Sequence, residues 1–325
     1  MKVLKFGGTS MADAGQYRKI KEIVDSDPTR RVVIVSAPGK RFSNDHKVTD
    51  LLYLCHAHTQ YGVDCTPIFN MIADRYYDIR RELGLVIDLE SEFAALKARL
   101  DEKQVSREEL VSRGEYFSAK LMATYLGFTF VDSADWVYFN YDGSVNTEKT
   151  YNALASMDLS KGAVIPGFYG VMPDNRIQTF SRGGSDITGA LAAAALDAEA
   201  YENWTDVSGI LMADPRIVSS PRTIREMTYS ELREMSYVGA QVLHEAAVFP
   251  VREKNITLNI RNTNAPNDPG TMIVRAGTLT MSPNALLQAS RGRRTSPSST
   301  WPSGECPMRL VYFARLCLSL SAMAF

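Results

Sequence analysis

The chain begins with a short apolar run that ends in two glycines, and this stretch constrains the fold more than any other. Val3, Leu4 and Phe6 form a short apolar run that predicts a buried strand, which Gly7 and Gly8 separate from a helical pattern. Backbone N–H groups at such a strand–glycine–helix junction can hold phosphate oxygens. Lys5 lies near the carboxyl end of the strand, where open α/β sheets bind their ligands. An ordinary tight turn is the alternative interpretation of one glycine pair.

A second stretch with the same pattern argues against an ordinary turn. Residues 181–186 (SRGGSD) again place a cation, two glycines and a hydroxyl before a predicted helix. Two candidate anion sites in one chain favour phosphate transfer. The helix predicted over 186–196 is almost entirely Ala, Gly and Leu, which indicates a buried helix packed closely against a sheet.

Strand and helix patterns alternate along the chain. A helix predicted over 13–25 connects the first strand to a second one at 31–37, and this order predicts a right-handed βαβ unit with a parallel strand pair. Further helices are predicted at 48–58, 68–83, 89–100, 107–126, 229–235 and 239–251, and further strands at 129–132, 163–166, 177–180, 256–260 and 271–274. This alternation predicts an α/β fold with a three-layer α/β/α arrangement around an open, mostly parallel sheet.

Composition narrows the class of protein. A chain of 325 residues with 45% hydrophobic and 22% charged residues is typical of a globular protein with one large or two smaller domains. The formal net charge of −1 argues against binding to nucleic acid or to an anionic membrane. Apolar runs are too short to span a membrane, and the first residues form a core strand pattern rather than a signal peptide.

The cysteines and histidines suggest neither a metal centre nor a nucleophile. The four cysteines, Cys55, Cys65, Cys306 and Cys317, form no C-x-x-C pair, which favours a reducing compartment and argues against zinc. The four histidines lack ligand partners at useful spacing. We therefore expect a cytoplasmic protein.

The composition changes near Gly277. Residues 277–325 contain five arginines and a single acid, Glu305, and residues 291–304 are rich in Ser, Pro and Arg. Such a segment cannot bury enough apolar surface to offset its ordering entropy. The sequence therefore predicts a folded domain over 1–276 followed by an aberrant, disordered tail over 277–325.

The chain lacks the P-loop, the protein-kinase motifs and the G-x-S-x-G elbow. Its features suit phosphoryl transfer to an acceptor that needs no deprotonation, such as a carboxylate. The obstacle is then repulsion between the acceptor and the γ-phosphate, which cations and backbone donors offset. Lys5 and the two glycine pairs supply such groups.

Many ordered motifs together carry a family resemblance. They are KFGGTS at 5–10, VSAPGKRF at 35–42, KVTDLLYLCH at 47–56, SRGEY at 112–116, VIPGFYG at 164–170, TFSRGGSDITG at 179–189, ENWTDVSGILMADPRIV at 202–218, GAQVLHEAAVFPV at 239–251 and NIRNTNAP at 259–266. With these motifs the chain resembles the aspartokinases of the amino-acid kinase superfamily, most closely the clostridial, single-function type. The resemblance covers residues 1 to about 276.

The resemblance implies roles in phosphate and aspartate binding. Lys5, Phe6, Gly7 and Gly8 match the family motif under the ATP phosphates. Asp186 would hold Lys5 or bind Mg²⁺ through water, with a simple helix N-cap as the alternative. The remaining matches concern the amino acid: Arg182 for its α-carboxylate, Glu115 for its ammonium group, and Ser36 and Thr49 as hydroxyls lining its pocket. As a residue on a solvated helix face, Glu115 would need no such role.

The resemblance also implies a nucleoside site. Thr205 and Asp206 match contacts to the base and ribose, and Leu211 and Arg216 match an adjacent loop over ATP. Gln241 stands where many family members carry lysine, so a backbone contact from Gln241 or Val242 to ATP is the alternative to a side-chain contact.

The implied activity is aspartokinase: Mg²⁺ and ATP are used to phosphorylate the side-chain carboxylate of L-aspartate. It is the first step toward lysine, threonine, methionine and diaminopimelate. The alternatives are another amino-acid kinase, acting on glutamate, acetylglutamate or carbamate, and a catalytically impaired remnant. Family members usually continue into paired ACT domains that bind the feedback amino acid. The different composition after Gly277 predicts a weaker homodimer and insensitivity to lysine and threonine.

Overall fold

A computed structural model of the chain describes residues 1–181, 183–213, 218–237, 243 and 245–275. Within these residues the chain forms ten strands and nine α-helices. The strands are β1 (Lys2–Phe6), β2 (Arg30–Val35), β3 (Thr129–Phe130), β4 (Ala163–Pro166), β5 (Tyr169–Val171), β6 (Ile177–Thr179), β7 (Ala200–Thr205), β8 (Glu226–Thr228), β9 (Thr257–Asn262) and β10 (Thr271–Val274). The helices are α1 (Ala14–Asp25), α2 (Val48–Gln60), α3 (Thr66–Leu83), α4 (Glu90–Asp101), α5 (Arg107–Leu126), α6 (Thr147–Ala155), α7 (Gly184–Ala195), α8 (Tyr229–Tyr237) and α9 (Glu245–Glu253).

Eight of these strands form one sheet, in the order β3-β4-β2-β1-β7-β9-β10-β8. The first strand lies in the interior of this sheet and runs parallel to β2 on one side and to β7 on the other. Strands β4 and β9 continue the parallel arrangement outward, whereas β10 runs antiparallel to β9. The predicted open, mostly parallel sheet and the parallel pairing of its first two strands are confirmed.

Each face of the sheet packs against its own set of helices. Successive side chains of β1 point to opposite faces, so Leu4 and Phe6 enter one apolar cluster and Val3 enters the other. The first cluster takes its helical side chains from α1 to α5, and the second takes them from α6 to α9. The sheet is therefore covered on both faces, as the three-layer prediction requires.

Local sequence signals account for the ends of several helices. Helix α5 has the predicted bounds, because Ser106 accepts a hydrogen bond from the Glu109 N–H at 3.1 Å and Gly127 ends the helix in a left-handed conformation. Asp13 caps α1 in the same way through the Gln16 N–H, at 3.0 Å. The start of α1 and both ends of α5 thus follow directly from the sequence.

The structure differs from the prediction in several places. Strands β5 and β6 pair with each other in a separate antiparallel hairpin, so the strand predicted at 177–180 does not join the main sheet. Helix α6 and strand β8 were not predicted, and both are short, with nine and three residues. The predicted strand at 129–132 is only two residues long.

Some expectations concern residues outside the described ranges. They include the tail over 277–325, Cys306 and Cys317, and part of the helix predicted over 239–251. In the described part of the chain Cys55 and Cys65 are buried free thiols. The helices within that part are all too short or too polar to cross a membrane.

Candidate active site

A buried ion pair marks the carboxyl edge of the sheet. Lys5 pairs in register with Ile34 of β2 and Asn203 of β7, and its Nζ lies 2.6 Å from Asp186 Oδ1. Asn203 donates from Nδ2 to the same oxygen at 2.9 Å. Lys5 is only 8% exposed, so the Asp186 carboxylate, which Asn203 holds in place, fixes the direction of its ammonium group. A fixed cation at this edge is the kind of group that stabilises developing negative charge.

Asp186 owes its position to the start of α7 rather than to capping. The residue before the helix is Gly183, in the left-handed region with φ of 58°, and no side chain caps the helix, so the N-cap interpretation of Asp186 is wrong. Tyr201 donates its hydroxyl to the Asp186 carbonyl at 3.1 Å. A Cβ at Gly189 would lie 2.5 Å from this hydroxyl, so glycine is needed for the sheet to approach the helix.

The first glycine pair is packed against two neighbouring segments. The Gly7 N–H donates to the Trp204 carbonyl at 3.1 Å, so this donor is not free for a phosphate, in contrast to the expectation from sequence. The Gly8 carbonyl accepts a hydrogen bond from the Gly39 N–H at 2.7 Å. A Cβ at Gly7 would lie 3.6 Å from Lys5 Nζ. Gly7 therefore lies directly beside the Lys5 ammonium.

A buried arginine supports the loop that touches the glycine pair. Arg75 of α3 is 5% exposed and donates to Asp45 Oδ2 at 2.7 Å and to the Gly39 carbonyl at 3.0 Å. Asp45 also accepts hydrogen bonds from Arg41, and these lower the pKa of its carboxyl group well below the usual value. This cluster fixes Gly39, and hence the carbonyl side of Gly8.

Glu115 lies in a second buried part of the site. It is 5% exposed, and its Oε2 has no hydrogen-bond partner among the described residues. Burial raises the pKa of Glu115 to about 8, although a backbone hydrogen bond from Ala37 partly opposes the shift. A buried, unpaired carboxyl group is costly unless a ligand supplies a partner, and an ammonium group would do so.

Close packing brings Glu115 to the end of β2. A Cβ at Gly114 would lie 2.7 Å from Ala37 Cβ, so only glycine lets α5 approach this closely. Tyr76 donates its hydroxyl to the Gly114 carbonyl at 2.7 Å and holds this turn of α5. The close approach places Glu115 at the carboxyl edge of the sheet.

Ser36 and Thr49 lie at the same edge and are partly exposed. The Ser36 N–H donates to the Phe6 carbonyl at 3.2 Å. Thr49 is in the first turn of α2, whose first N–H, that of Val48, donates to the Pro38 carbonyl at 3.0 Å. These contacts place Ser36 at the end of β2, beside the end of β1, and tie the start of α2, which carries Thr49, to the loop that follows β2.

The predicted nucleoside residues follow β7. Thr205 ends the strand, and its Oγ1 donates to Asp206 Oδ1 at 3.0 Å while it accepts from the Asp206 N–H at 2.6 Å. Asp206 is exposed and Leu211 is partly exposed, with Leu211 bridging to Thr223. Four further predicted site residues lie outside the described ranges: Arg182, Arg216, Gln241 and Val242.

The loop after β4 is a part of the site that no role was assigned to from sequence. Phe168 has a φ of 83°, in the left-handed region that disfavours side chains, and its N–H donates to Thr188 Oγ1 of α7 at 3.1 Å. A Cβ at Gly167 would lie 2.6 Å from Ser185 Cβ. This loop therefore packs on the helical turn that carries Asp186. The signal for it was the glycine-rich run over 167–170 directly after a strand.

Asp186 is the residue expected from sequence to bind Mg²⁺ through water. Among the described residues no group of three or more His, Cys, Asp or Glu side chains is arranged to hold a metal ion. Nucleotide-bound Mg²⁺ does not need such a cage, because it keeps several waters and takes one or two carboxylates together with the phosphates. Lys5 and Asn203 both contact Oδ1 of Asp186, and its side chain is 20% exposed. This geometry is compatible with a water-mediated metal contact.

The sheet is mostly parallel, and a fixed lysine, a glycine turn and a buried carboxyl group lie together at its carboxyl edge. These features define the class of this protein. The amino acid kinase family model matches residues 1–262. The chain belongs to the amino acid kinase family.

Within this family, the chain is similar to several individual aspartokinases. The chain is 37% identical over 288 residues to aspartokinase 3 of Bacillus subtilis. The matched region covers 84% of this chain and 63% of that protein. The structure is similar to the crystal structure of Clostridium acetobutylicum aspartate kinase, with a TM-score of 0.81 and 46% identity over 86% of this chain and 64% of that one. It is also similar to E. coli aspartokinase III in complex with aspartate and ADP, with a TM-score of 0.74 and 28% identity over 85% and 64% of the two chains. The chain spans less than two thirds of the length of these relatives.

Proposed function

We propose that this chain is an aspartokinase, which transfers the γ-phosphoryl group of ATP to the side-chain carboxylate of L-aspartate. The observation that carries the proposal is the buried Lys5 ammonium, held 2.6 Å from Asp186 beside the glycine turn. The reaction breaks the bond between the γ-phosphorus and the β,γ-bridging oxygen and forms a bond to an aspartate carboxylate oxygen. The products are ADP and 4-phospho-L-aspartate.

The chemistry needs little from the protein beyond charge and position. A carboxylate is ionised at neutral pH and needs no base to act as a nucleophile. Its approach to the γ-phosphate is opposed by charge repulsion, which Lys5 and Arg182 would reduce. Asp186 and Asn203 keep the Lys5 ammonium directed at the glycine turn, so the cation need not reorganise during transfer.

Recognition of aspartate would use groups on the other side of the edge. Glu115 would pair with the substrate ammonium, since its Oε2 is buried and lacks a protein partner in the described part of the chain. Arg182 would bind the α-carboxylate as a bidentate guanidinium, a role that rests on the family motif. Ser36 and Thr49 would complete the pocket with their hydroxyl groups.

ATP would be bound by residues at the carboxyl ends of β1 and β7 and in the loops that follow. Phe6, Gly7 and Gly8 would lie under the phosphates, and Thr205 and Asp206 would contact the base and ribose. The loop residues Leu211, Arg216, Gln241 and Val242 would contact the nucleotide in addition. When bound, Mg²⁺ would neutralise charge on the phosphate oxygens, and Asp186 would hold it through water.

The wider setting belongs to the same proposal. We place the catalytic unit at residues 1–276, and we propose a cytoplasmic enzyme of lysine, threonine, methionine and diaminopimelate biosynthesis. It would act as a homodimer weaker than is usual in the family, without a nucleic-acid or membrane partner.

A coupled ADP-release assay on the 325-residue chain tests the activity. We expect Mg²⁺-dependent ADP release with L-aspartate, and formation of a hydroxamate when hydroxylamine is added, because hydroxylamine traps acyl phosphates. Glutamate and acetylglutamate serve as the discriminating substrates. Faster turnover with either one would assign a different amino-acid kinase, and no turnover with any of them would indicate an impaired remnant.

A further inference from the structure

The segment that follows β9 contains the motif NTNAP over 262–266, to which neither ATP nor aspartate binding has assigned a role. Thr263 in this segment is fully buried. Its Oγ1 lies 2.8 Å from Ser10 Oγ, and its backbone N–H donates to the Thr205 carbonyl at 2.9 Å. A single buried residue thus contacts two segments that are far apart in sequence.

These two segments are the two halves of the proposed ATP site. Ser10 lies in the 3-10 helix Gly8–Met11, directly after the glycine turn, and its N–H donates to the Gly7 carbonyl at 3.0 Å. Thr205 begins the loop assigned to the base and ribose. Thr263 therefore connects the phosphate side of the site to its nucleoside side without facing either ligand.

Neighbouring hydrogen bonds hold Thr263 on both sides. Asn262 donates from Nδ2 to Ser208 Oγ at 3.0 Å, which ties the segment to the nucleoside loop. Asn264 Oδ1 accepts from Gln16 Nε2 at 3.2 Å and from Lys19 Nζ at 2.8 Å, which ties it to α1. The segment is thus anchored to the nucleoside loop and to α1, the helix that follows the glycine turn.

We propose that Thr263 is a positioning residue for ATP, which sets the separation between the glycine turn and the Thr205 loop. The inference rests on the proposed function, since it takes these two segments as the ATP site. A nucleotide contacts the glycine turn and the Thr205 loop at the same time, so a change in their separation weakens nucleotide binding. The aspartate pocket around Glu115 stays intact.

The test compares two substitutions of the same residue. Thr263→Val keeps the shape of the side chain and removes its hydroxyl, which leaves the buried Ser10 hydroxyl unpaired. Thr263→Ser keeps the hydroxyl and is the matched control. We expect Thr263→Val to raise the KM for ATP and the Kd for ADP about tenfold, the change expected from one lost buried hydrogen bond, with the aspartate KM within about twofold. Thr263→Ser should keep all three values within about twofold.

Several outcomes would overturn the inference. They are an unchanged ADP affinity in Thr263→Val, an equal rise in both KM values, or equal loss in the valine and serine variants. If Thr263→Val does not fold, Ser10→Ala leaves the Thr263 hydroxyl unpaired and must give the same selective loss. ADP binding is measured directly by calorimetry, so wild-type ADP binding without aspartate-dependent turnover would refute the proposed function alone. A wild-type chain that binds no ADP would refute both.

Discussion

At the scale of single residues, the central feature is the contrast between two lysines of β1. Lys5 is buried and pairs with Asp186 at the proposed site. Lys2 lies away from the site, its side chain is 23% exposed, and its Nζ is 2.7 Å from Asp27 Oδ2. Both are lysines on one strand, and both form an ion pair. Their different positions make them a matched pair for testing what the charge at residue 5 does.

We expect Lys5→Ala to reduce kcat by about a hundredfold or more, because it removes a charge that stabilises the transferring phosphoryl group. Lys2→Ala should keep kcat within about twofold. Circular dichroism and thermal unfolding of both variants show whether the fold is retained. A folded Lys5→Ala variant with near-normal kcat would contradict the assignment.

Glu115 gives a second residue-scale prediction, which concerns protons. Its pKa of about 8 means that the carboxyl group is mostly protonated at pH 7 in the free protein. The ammonium group of bound aspartate favours the ionised form, so binding should release a proton and should tighten as the pH rises from 6 to 8. Calorimetry in buffers of different ionisation enthalpy measures this release.

Glu115→Gln is the control for that measurement, because it cannot titrate. It should bind aspartate more weakly, show no proton release, and leave the KM for ATP little changed. Wild-type binding with no proton exchange at pH 7 would show that Glu115 is already ionised in the free protein. A raised ATP KM in Glu115→Gln would mean that the two pockets are assigned the wrong way round.

At the scale of elements, the approach of α5 to β2 determines where the aspartate pocket forms. Gly114→Ala adds a methyl group that would lie only 2.7 Å from Ala37 Cβ, closer than two methyl groups can approach. We expect the helix to shift outward, moving Glu115 and raising the aspartate KM about tenfold with a smaller effect on the ATP KM. Steady-state kinetics with each substrate varied in turn measure this.

The clash itself supplies the control. Ala37→Gly removes the opposing methyl group, so the double variant with Gly114→Ala should recover most of the lost aspartate affinity. Failure of the double variant to recover would show that the loss has another cause, such as the nearby Leu52 side chain, 3.2 Å from the added Cβ.

Elements with strong local signals were predictable from sequence, and those formed by tertiary pairing were not. Ser106 and Gly127 determine the two ends of helix α5. The run of small residues predicts helix α7 to within two residues at each end. Strand β8 is three residues long and exists because it pairs with β10, so no local pattern reveals it.

The candidate site follows the same division. The family motifs indicated Lys5 and Glu115, but the bonded N–H of Gly7 and the link from Thr263 to Ser10 depend on contacts across the fold. Similarly, the raised pKa of Glu115 comes from burial, which residue identity alone does not show.

At the scale of the whole molecule, the site and the core share the same strands. Lys5 and Asn203 lie on neighbouring interior strands, and Trp204, next to Asn203, stacks on Phe6 in the core with ring centroids 6.0 Å apart. The site therefore has no separate subdomain within the described residues.

We expect urea to abolish activity and secondary structure at the same midpoint, because loss of the β1–β7 pairing removes both at once. ADP-release rates and far-UV circular dichroism, measured on the same urea series, test this. Activity lost at a clearly lower urea concentration would show that the site opens independently of the sheet.

The strand order also determines how long one edge of β1 stays unpaired while the chain is being synthesised. The strand β1 is made before both of its neighbours; β2 covers one of its edges early, but the other edge waits for β7 near residue 200. Until then a nascent chain carries an open, apolar strand edge in the middle of its future sheet, and such edges readily pair with other chains. The lysine at the centre of the proposed site is thus synthesised long before Asp186 and Asn203, the two residues that fix its geometry.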